Sequence, residues 1–372
     1  MKAMSKGKSK AQNALSIAGV VAGTLGAVAV TGGQAQAAAN RPAGAAHTTV
    51  YTETNAAAGN EVLAFHADGS SAGAYATGGA GTGAGLGSQG AVTVADGGRT
   101  LFAVNGGSDS VSEFAVAPSG ALRPLGTFGT GTGPVSVAVQ GDHVYVLGQN
   151  SVTAYWRFGD TLAQVAQRGL SAGTSGAAEV AVTPDGRALL VTEKGSSTLD
   201  VFALDFFGVP GQASKSASGG QTPFGFAFGR GGTAVVSNVG AGAGASSASG
   251  YQVRHGALRT TAAALPDGQT AACWVAVGPD GRTAYVENAG SGTVSTYAVG
   301  TDGALRLLDA TAAAPGGHVG DAAVSGGALW ILDTAKGRID DVPLAADGTP
   351  GAPSVTTTGI PASAAGLAAV TR

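Results

Sequence analysis

Charged residues, cysteine and helical periodicity are all scarce in this sequence of 372 residues. Charged residues make up 12% of the chain, which is about half of the usual share. The single cysteine, Cys273, excludes an intramolecular disulfide. It stands in an apolar segment with no histidine nearby in sequence, which favours a buried thiol over a nucleophile. No stretch after the N-terminal segment has a helical period, so helices are not expected.

Glycine is abundant, with 64 residues. No strict Gly-X-Y period exists, which excludes collagen. Valine is frequent and the formal net charge is only −3, which argues against a disordered chain. Many glycines together with many valines predict short β-strands joined by tight turns.

The N-terminal 37 residues have the pattern of an export signal. Four lysines are followed by an uncharged apolar run at 14–30 and by the small-residue motif Ala35-Gln36-Ala37. A membrane anchor is the alternative, although 17 residues rich in alanine and glycine are short for a span. We expect removal of residues 1–37 and a secreted or extracytoplasmic protein, with 38–47 as a short linker.

The remaining chain has few features of a nucleic-acid, membrane or metal protein. Loss of four lysines and no acid takes the formal net charge from −3 to −7, and no basic stripe remains. No later stretch is long enough to span a membrane. The histidines lack metal-ligand spacing, so the sequence predicts no metal site. No cofactor is predicted, and the absence of a basic stripe argues against a nucleic-acid partner.

Internal repetition is the most informative feature of the sequence. Segments 92–116, 180–202 and 275–299 are three copies of one unit, and weaker copies lie between and after them. Equivalent positions fall at 105, 148, 193, 238, 288 and 333, so the period is near 45 residues.

Each unit has the pattern of four short strands. An apolar first strand is followed by an Asp-Gly turn, at Asp96, Asp185 and Asp280, and by an apolar second strand. A Gly/Ser loop leads to an alternating third strand, and a second turn leads to a more polar fourth strand. Four strands in about 45 residues are typical of a β-propeller blade.

The two ends of the chain complement each other. Six complete units run from about residue 89 to 359, while 48–69 supplies strands two to four of a further unit and 365–371 supplies a first strand. We therefore predict an all-β propeller over 48–372 with seven blades of four antiparallel strands. Its ring is closed by pairing the N- and C-terminal strands in one blade; six or eight blades are the alternatives.

The repeat resembles a known family. Pro-Asp-Gly-Arg at 184–187 and 279–282, followed by an apolar strand ending in Asn or Glu and then by Gly-Ser and Thr-Val-Ser, resembles the YVTN-type repeat. This repeat is found in the lactonase-type seven-bladed β-propellers, which include 6-phosphogluconolactonase and carboxymuconate cyclase. The resemblance implies the propeller fold over the chain from about Thr48.

The resemblance also implies positions for catalytic residues. Enzymes of the family are associated with a His and a Glu on one rim of the central funnel. When the units are aligned, Glu193 stands at the position where other units have Asn, and Lys194 stands at the position where the family has its Glu. His318 is placed like the family's His at the start of a first strand. Glu193, Lys194 and His318 are therefore the predicted catalytic residues.

The funnel face is predicted to collect further polar side chains. Loops after second strands and before first strands lie on one face of a propeller. The residues predicted there to bind a ligand are Asn105, Asn150, Asn238, Asn288 and Asp333. Each could instead close a turn through bonds to its own backbone, and this alternative stays open.

Two classes of function follow. The first is an exported propeller that binds a small molecule, or an extracellular protein or glycan, at its funnel, with degenerate catalytic positions. The alternative is an active lactonase or cyclase-like enzyme on a small carboxylated lactone. A monomer is expected.

The aromatic cluster at 155–158 has two interpretations, blade packing or an exposed contact patch.

Overall fold

The computed structural model describes residues 47–173, 176–254 and 256–372. Within these residues, 28 strands form seven antiparallel sheets of four strands each. The predicted seven-bladed all-β propeller is confirmed. The predicted export signal at 1–37 and all but the last residue of the linker at 38–47 lie outside the described residues.

The first four blades, listed from the inner to the outer strand, are as follows. Blade I contains β28 (Ala365–Thr371), β1 (Thr48–Glu53), β2 (Glu61–His66) and β3 (Ser71–Ala76). Blade II contains β4 (Val92–Ala95), β5 (Thr100–Asn105), β6 (Ser110–Val116) and β7 (Leu122–Gly129). Blade III contains β8 (Ser136–Gln140), β9 (His143–Leu147), β10 (Ser151–Phe158) and β11 (Thr161–Gly169). Blade IV contains β12 (Ala177–Val182), β13 (Ala188–Glu193), β14 (Thr198–Leu204) and β15 (Pro210–Ala217).

Three blades complete the ring in the same strand order. Blade V contains β16 (Pro223–Phe228), β17 (Thr233–Asn238), β18 (Ser247–Arg254) and β19 (Ala257–Pro266). Blade VI contains β20 (Ala272–Val277), β21 (Thr283–Asn288), β22 (Thr293–Val299) and β23 (Leu305–Ala313). Blade VII contains β24 (Val319–Ser325), β25 (Ala328–Asp333), β26 (Arg338–Pro343) and β27 (Ser354–Thr358).

Blade I joins the two ends of the chain. Strand β28 pairs antiparallel with β1, with Thr49 opposite Val370 and Val50 opposite Ala369. Strand β1 pairs on its other side with β2. The predicted closure is therefore confirmed, and it leaves β1 without a free edge.

Apolar side chains fill the spaces between neighbouring blades. Between blades III and IV, Tyr145, Leu189 and Phe202 belong to one fully buried cluster. Trp330 of blade VII packs in the same way against Val50 of blade I. Strands with two covered faces need few charges, which accounts for the low charge content.

The Asp-Gly turns lie where the sequence places them. Gly186 and Gly281 have φ values of 71° and 68°, a region that residues with a Cβ rarely adopt. Two short 3-10 turns, Asp96–Gly98 and Arg230–Gly232, precede second strands. In the described part of the chain, no helix is long and apolar enough to cross a bilayer.

The inner strands carry an irregularity at one repeated position. The pairing register shifts between Ala177 and Glu179 in blade IV, and between Ala272 and Trp274 in blade VI. In blade VII the shift falls between Val319 and Ala322. Such bulges re-aim side chains and are frequent next to functional sites. Three large polar or aromatic residues, Glu179, Trp274 and Asp321, stand at these bulges.

Candidate functional site

The connection between blades I and II enters the centre of the ring. We call residues 85–90 the plug. The Gln89 amide group donates to the carbonyl oxygens of Val275 (2.8 Å) and Phe226 (3.2 Å), and its oxygen accepts from Val275 N (2.9 Å). Gln89 N also donates to Ala178 O at 3.1 Å. The Gln89 side chain thus joins the inner strands of blades V and VI, and its backbone N–H adds the inner strand of blade IV.

The neighbours of Gln89 extend this contact to two further blades. Ser88 Oγ donates to Val135 O in blade III at 2.8 Å, and Gly90 N donates to Asp321 Oδ2 in blade VII at 3.2 Å. At Gly225, a Cβ would lie 2.1 Å from Gln89 Oε1, so this close approach requires glycine. These bonds hold the end of the glycine-rich stretch 78–90 against the inner strands.

A cavity of about 210 Å³ lies beside the plug. Its polar and aromatic lining residues are Trp274, His318, Asp321 and Thr334, and the backbone of the plug forms another wall. Leu332 and the glycine and alanine residues at 362–366 complete the lining. The cavity therefore opens between the plug and the inner strands of blades VI, VII and I.

Four side chains form a row beside the plug, each in contact with the next. We call this row the aromatic arc. Lys194 Nζ lies 4.8 Å from the centre of the Phe224 ring. The Phe224 and Trp274 rings meet edge to face at 5.2 Å, and Trp274 meets His318 in the same way at 6.2 Å. The arc thus has an ammonium group at one end and an imidazole at the other.

The plug occupies hydrogen-bonding groups of the arc. Trp274 Nε1 donates to Ser88 O at 2.8 Å, and Lys194 Nζ donates to Gly87 O. Burial lowers the pKa of Lys194, because removing the ammonium from water disfavours its charged form. The nearby Cys273 is buried, and burial raises the pKa of its thiol to about 12. Cys273 is thus a neutral thiol, as its apolar sequence context suggests.

Three buried acids lie on blades IV, VI and VII, close enough to influence one another's ionisation. Burial raises the pKa of Asp321 to about 7, although backbone N–H groups of Gly90, Ala322 and Leu367 oppose this effect. Glu179 accepts a hydrogen bond from Phe226 N at 2.5 Å, yet burial still raises its pKa well above the ordinary value.

Glu287 is the third acid and is fully buried on β21. Neither of its carboxyl oxygens has a hydrogen-bond partner among the residues that the structure describes. Burial raises the pKa of Glu287, and repulsion from Asp321 acts in the same direction. Asp321 also repels Glu179, so the three carboxyl groups resist ionising together.

Of the three predicted catalytic residues, the structure brings Lys194 and His318 to the arc and places Glu193 elsewhere. Glu193 is fully buried at the end of β13, and its Oε1 accepts a hydrogen bond from Ser171 Oγ at 3.4 Å. It does not line the cavity. The catalytic assignment of the three residues stays a prediction.

Three of the predicted ligand-binding residues have their amides engaged inside blades. Asn105, Asn238 and Asn288 are fully buried at the ends of second strands. Each Nδ2 donates to a serine of the following strand at 2.9 Å; the acceptors are Ser112, Ser249 and Ser295, which lie seven, eleven and seven positions later. This arrangement corresponds to the turn-closing alternative, and a ligand-binding role for these residues stays a prediction.

Replacing Asn288 with alanine tests this structural role. The change removes the amide that bonds Ser295 and leaves a buried hydroxyl without that partner. We expect the free energy of unfolding to fall by about 1–3 kcal/mol, measured by urea denaturation. The matched control is Asn150→Ala, since Asn150 is exposed and its substitution is expected to stay within about 0.5 kcal/mol of wild type. Equal stability of both variants would contradict the structural role.

The remaining two predicted ligand-binding residues differ from each other. Asn150 is exposed in the turn between β9 and β10 and does not line the cavity. Asp333 is fully buried and accepts hydrogen bonds from the backbone N–H groups of His318 (3.1 Å) and Lys336 (3.0 Å). Asp333 therefore positions the loop that carries His318.

Sequence reasoning missed Phe224, Trp274, Asp321 and Gln89. A signal for two of them exists in the repeat. Glu179, Trp274 and Asp321 stand at one position of the first strands where other units have the small residues Ala91, Ser136 or Gly225, so large or charged residues there mark blades IV, VI and VII. Gln89 had no such signal, because its partners come from blades distant in sequence.

The described residues contain no group of three or more His, Cys, Asp and Glu side chains that could hold a metal ion.

Comparison with known proteins agrees with this architecture. The family model "Lactonase, 7-bladed beta-propeller" matches residues 158–243. The resemblance to the lactonase-type seven-bladed propellers is confirmed. Comparison with curated proteins gives no match.

Solved structures share the fold of this lactonase-like propeller at low sequence identity. A functionally unknown protein from Desulfotomaculum acetoxidans has a TM-score of 0.70 at 14% identity, covering 87% of this chain and 99% of the other. The periplasmic gluconolactonase of Pseudomonas aeruginosa has a TM-score of 0.66 at 20% identity, covering 87% and 98%. A candidate 6-phosphogluconolactonase from Bacteroides fragilis has a TM-score of 0.61 at 16% identity, with the same coverage.

Proposed function

We propose that this protein is an exported propeller that binds a small carboxylate-bearing molecule at the aromatic arc. One observation carries the proposal: an ammonium group and an imidazole lie at the two ends of a row of aromatic rings, beside a cavity. Convergent polar groups in an aromatic concavity are the usual setting of a ligand site. Export is supported by the basic and apolar pattern of residues 1–37.

The size and charge of the site limit the ligand. A cavity of about 210 Å³ is smaller than most ligand pockets, so the ligand is a small one. Lys194 and His318 favour an anionic group, whereas the faces of Phe224 and Trp274 favour a flat or C–H-rich surface. A phosphorylated sugar lactone fits less well, since export separates the protein from cytoplasmic sugar phosphates and the face offers few cations.

Lactone hydrolysis is the second candidate function, and Asp321 favours it. A carboxyl group with a pKa of about 7 is suited to general acid–base catalysis at neutral pH. Asp321 lines the same cavity as His318, which could stabilise the developing oxyanion. The family resemblance supports this class of chemistry, and Asp321 would take the acid–base role that the sequence suggested for Glu193.

The experiment uses gluconate as the binding probe and muconolactone as the hydrolysis probe. We expect gluconate to change tryptophan fluorescence in wild type, with at least tenfold weaker binding in Lys194→Ala and His318→Ala. Asn150→Ala is the control and should bind as wild type does, because Asn150 belongs neither to the aromatic arc nor to the cavity lining. Equal gluconate affinity in all variants would contradict the binding site.

The hydrolysis arm separates the two candidate functions. If the site is catalytic, wild type opens muconolactone above the rate without protein, and Asp321→Asn loses at least tenfold in rate. Binding of gluconate without any hydrolysis favours the binding function. Hydrolysis that persists in Asp321→Asn would remove Asp321 from the chemistry.

A further inference from the structure

An exposed aromatic cluster lies on the face opposite the aromatic arc. Strand β10 begins at Ser151 on the face of the arc and ends at Phe158, about 25 Å away for a strand of eight residues. There Phe158, Phe206 and Phe207 are 61%, 95% and 60% exposed. Trp156 joins them, with ring centres 6.2 Å from Phe158 and 6.4 Å from Phe207. We call these four residues the lower aromatic patch.

The patch is held in place by hydrogen bonds to the turn that carries Phe206 and Phe207. The Phe207 carbonyl oxygen accepts from Trp156 Nε1 at 3.0 Å, and His143 Nε2 lies 2.9 Å from the same oxygen. Asp205 Oδ1 accepts from the backbone N–H groups of Phe207 and Val209, each at 2.9 Å. The turn of blade IV is thus fixed against blade III. Ordered aromatic groups lose little conformational entropy when a partner binds.

The rim of the patch is acidic. Asp142, Asp160 and Asp205 are exposed around it. Arg157 lies among them, but its guanidinium is only 12% exposed and pairs with Asp96 at 2.7 Å, with Glu113 at 3.3 Å and with the exposed Asp142 at 3.7 Å. Three exposed carboxylates therefore lie around an apolar centre, with one exposed cation, Arg187, beside the turn of blade IV.

We propose that the lower aromatic patch is a docking surface for a partner protein that presents an apolar side chain flanked by lysine or arginine. An aromatic centre with a polar rim is the usual anatomy of a protein interface. The three carboxylates complement a basic partner and prevent wrong pairings. The same carboxylates oppose contact with a lipid surface, since membranes carry negative surface charge and burial of a carboxylate is costly. This surface is independent of the ligand site in the funnel.

Two synthetic peptides that differ in charge sign test the proposal. The probes are fluorescein-labelled Lys-Leu-Lys-Phe-Lys-Leu-Lys and Glu-Leu-Glu-Phe-Glu-Leu-Glu, titrated with the full chain at low salt and followed by anisotropy. We expect the basic peptide to bind at least tenfold more tightly than the acidic one. The double substitution Phe206→Ser and Phe207→Ser should weaken binding of the basic peptide at least tenfold.

Two further variants make the outcome specific. Leu308→Ser removes a side chain that is 45% exposed on β23, away from the patch, and should bind as wild type does. Asp142→Asn with Asp160→Asn should reduce the preference for the basic peptide while leaving the aromatic residues in place. Equal binding of both peptides, or undiminished binding by the double serine variant, would overturn the proposal. Binding to phosphatidylcholine vesicles that the double serine variant loses would also overturn it, in favour of a lipid surface.

Discussion

Gln89→Ala is expected to lower the free energy of unfolding by about 3 kcal/mol or more. The substitution removes two hydrogen bonds that Gln89 donates and one that it accepts, and all three partners are backbone groups of buried inner strands. A buried polar group that loses its partner costs about 1–3 kcal/mol. Because one side chain connects the inner strands of blades V and VI, few other residues can replace these bonds.

Urea denaturation of Gln89→Ala and of Gln149→Ala measures this effect. Gln149 is exposed, so its substitution should change stability by no more than about 0.5 kcal/mol. A local measurement is available as well, because Ser88, next to Gln89, accepts the Trp274 indole hydrogen bond. We expect loosening of the plug to shift the fluorescence of Trp274 towards that of a solvated indole. If Gln89→Ala is as stable as Gln149→Ala, the plug does not hold the blades together.

Asp321→Asn is expected to flatten the dependence of the protein's stability on pH. The folded state raises the pKa of Asp321 from its ordinary value of 3.8 to about 7, so it binds this proton more tightly than the unfolded chain does. The stabilisation is fully present below pH 4 and is lost as the pH rises towards 7. A pKa difference of about three corresponds to about 4 kcal/mol. Asparagine does not titrate, but its NH2 group cannot accept one of the two backbone N–H bonds that the Asp321 oxygens accept, so it is also expected to lower stability at every pH.

Chemical denaturation at intervals between pH 4 and pH 8 measures this prediction. Wild type should lose stability across that range, whereas Asp321→Asn should lose much less. Some dependence should remain, because burial also raises the pKa of Glu179 and of Glu287. Asp160→Asn serves as the control, since it changes an exposed acid in a turn. A wild-type slope that persists unchanged in Asp321→Asn would show that Asp321 ionises freely in the folded protein.

The fold could be predicted because it depends on local patterns that recur. The Asp-Gly turns at Asp185 and Asp280 and the alternating third strands repeat at a period near 45 residues, and each repeat specifies one blade. Even the closure followed from sequence, since 365–371 has the pattern of a first strand and the N-terminal unit lacks one.

The candidate site could be predicted only in part. His318 and Lys194 were predicted through the resemblance to the lactonase-type family, and both reach the aromatic arc. Glu193, Asn105, Asn238 and Asn288 occupy equivalent strand ends, yet their side chains turn into the blades, where serine hydroxyl groups bond them. Alignment of the repeat units predicts that a residue lies at the end of a strand. The direction of its side chain depends on the hydrogen-bond partners that the packed blades provide.

The sequence alone therefore determined the number of blades, the order of their strands and the way in which the ring closes, because these features arise from local pairing repeated along the chain. Only the tertiary structure decided what fills the centre. Gln89 meets Phe226 and Val275, which are 137 and 186 positions later in the chain, and no periodicity relates such residues. Burial in that centre, rather than residue type, raises the pKa of Asp321 and leaves Glu287 without a hydrogen-bond partner among the described residues.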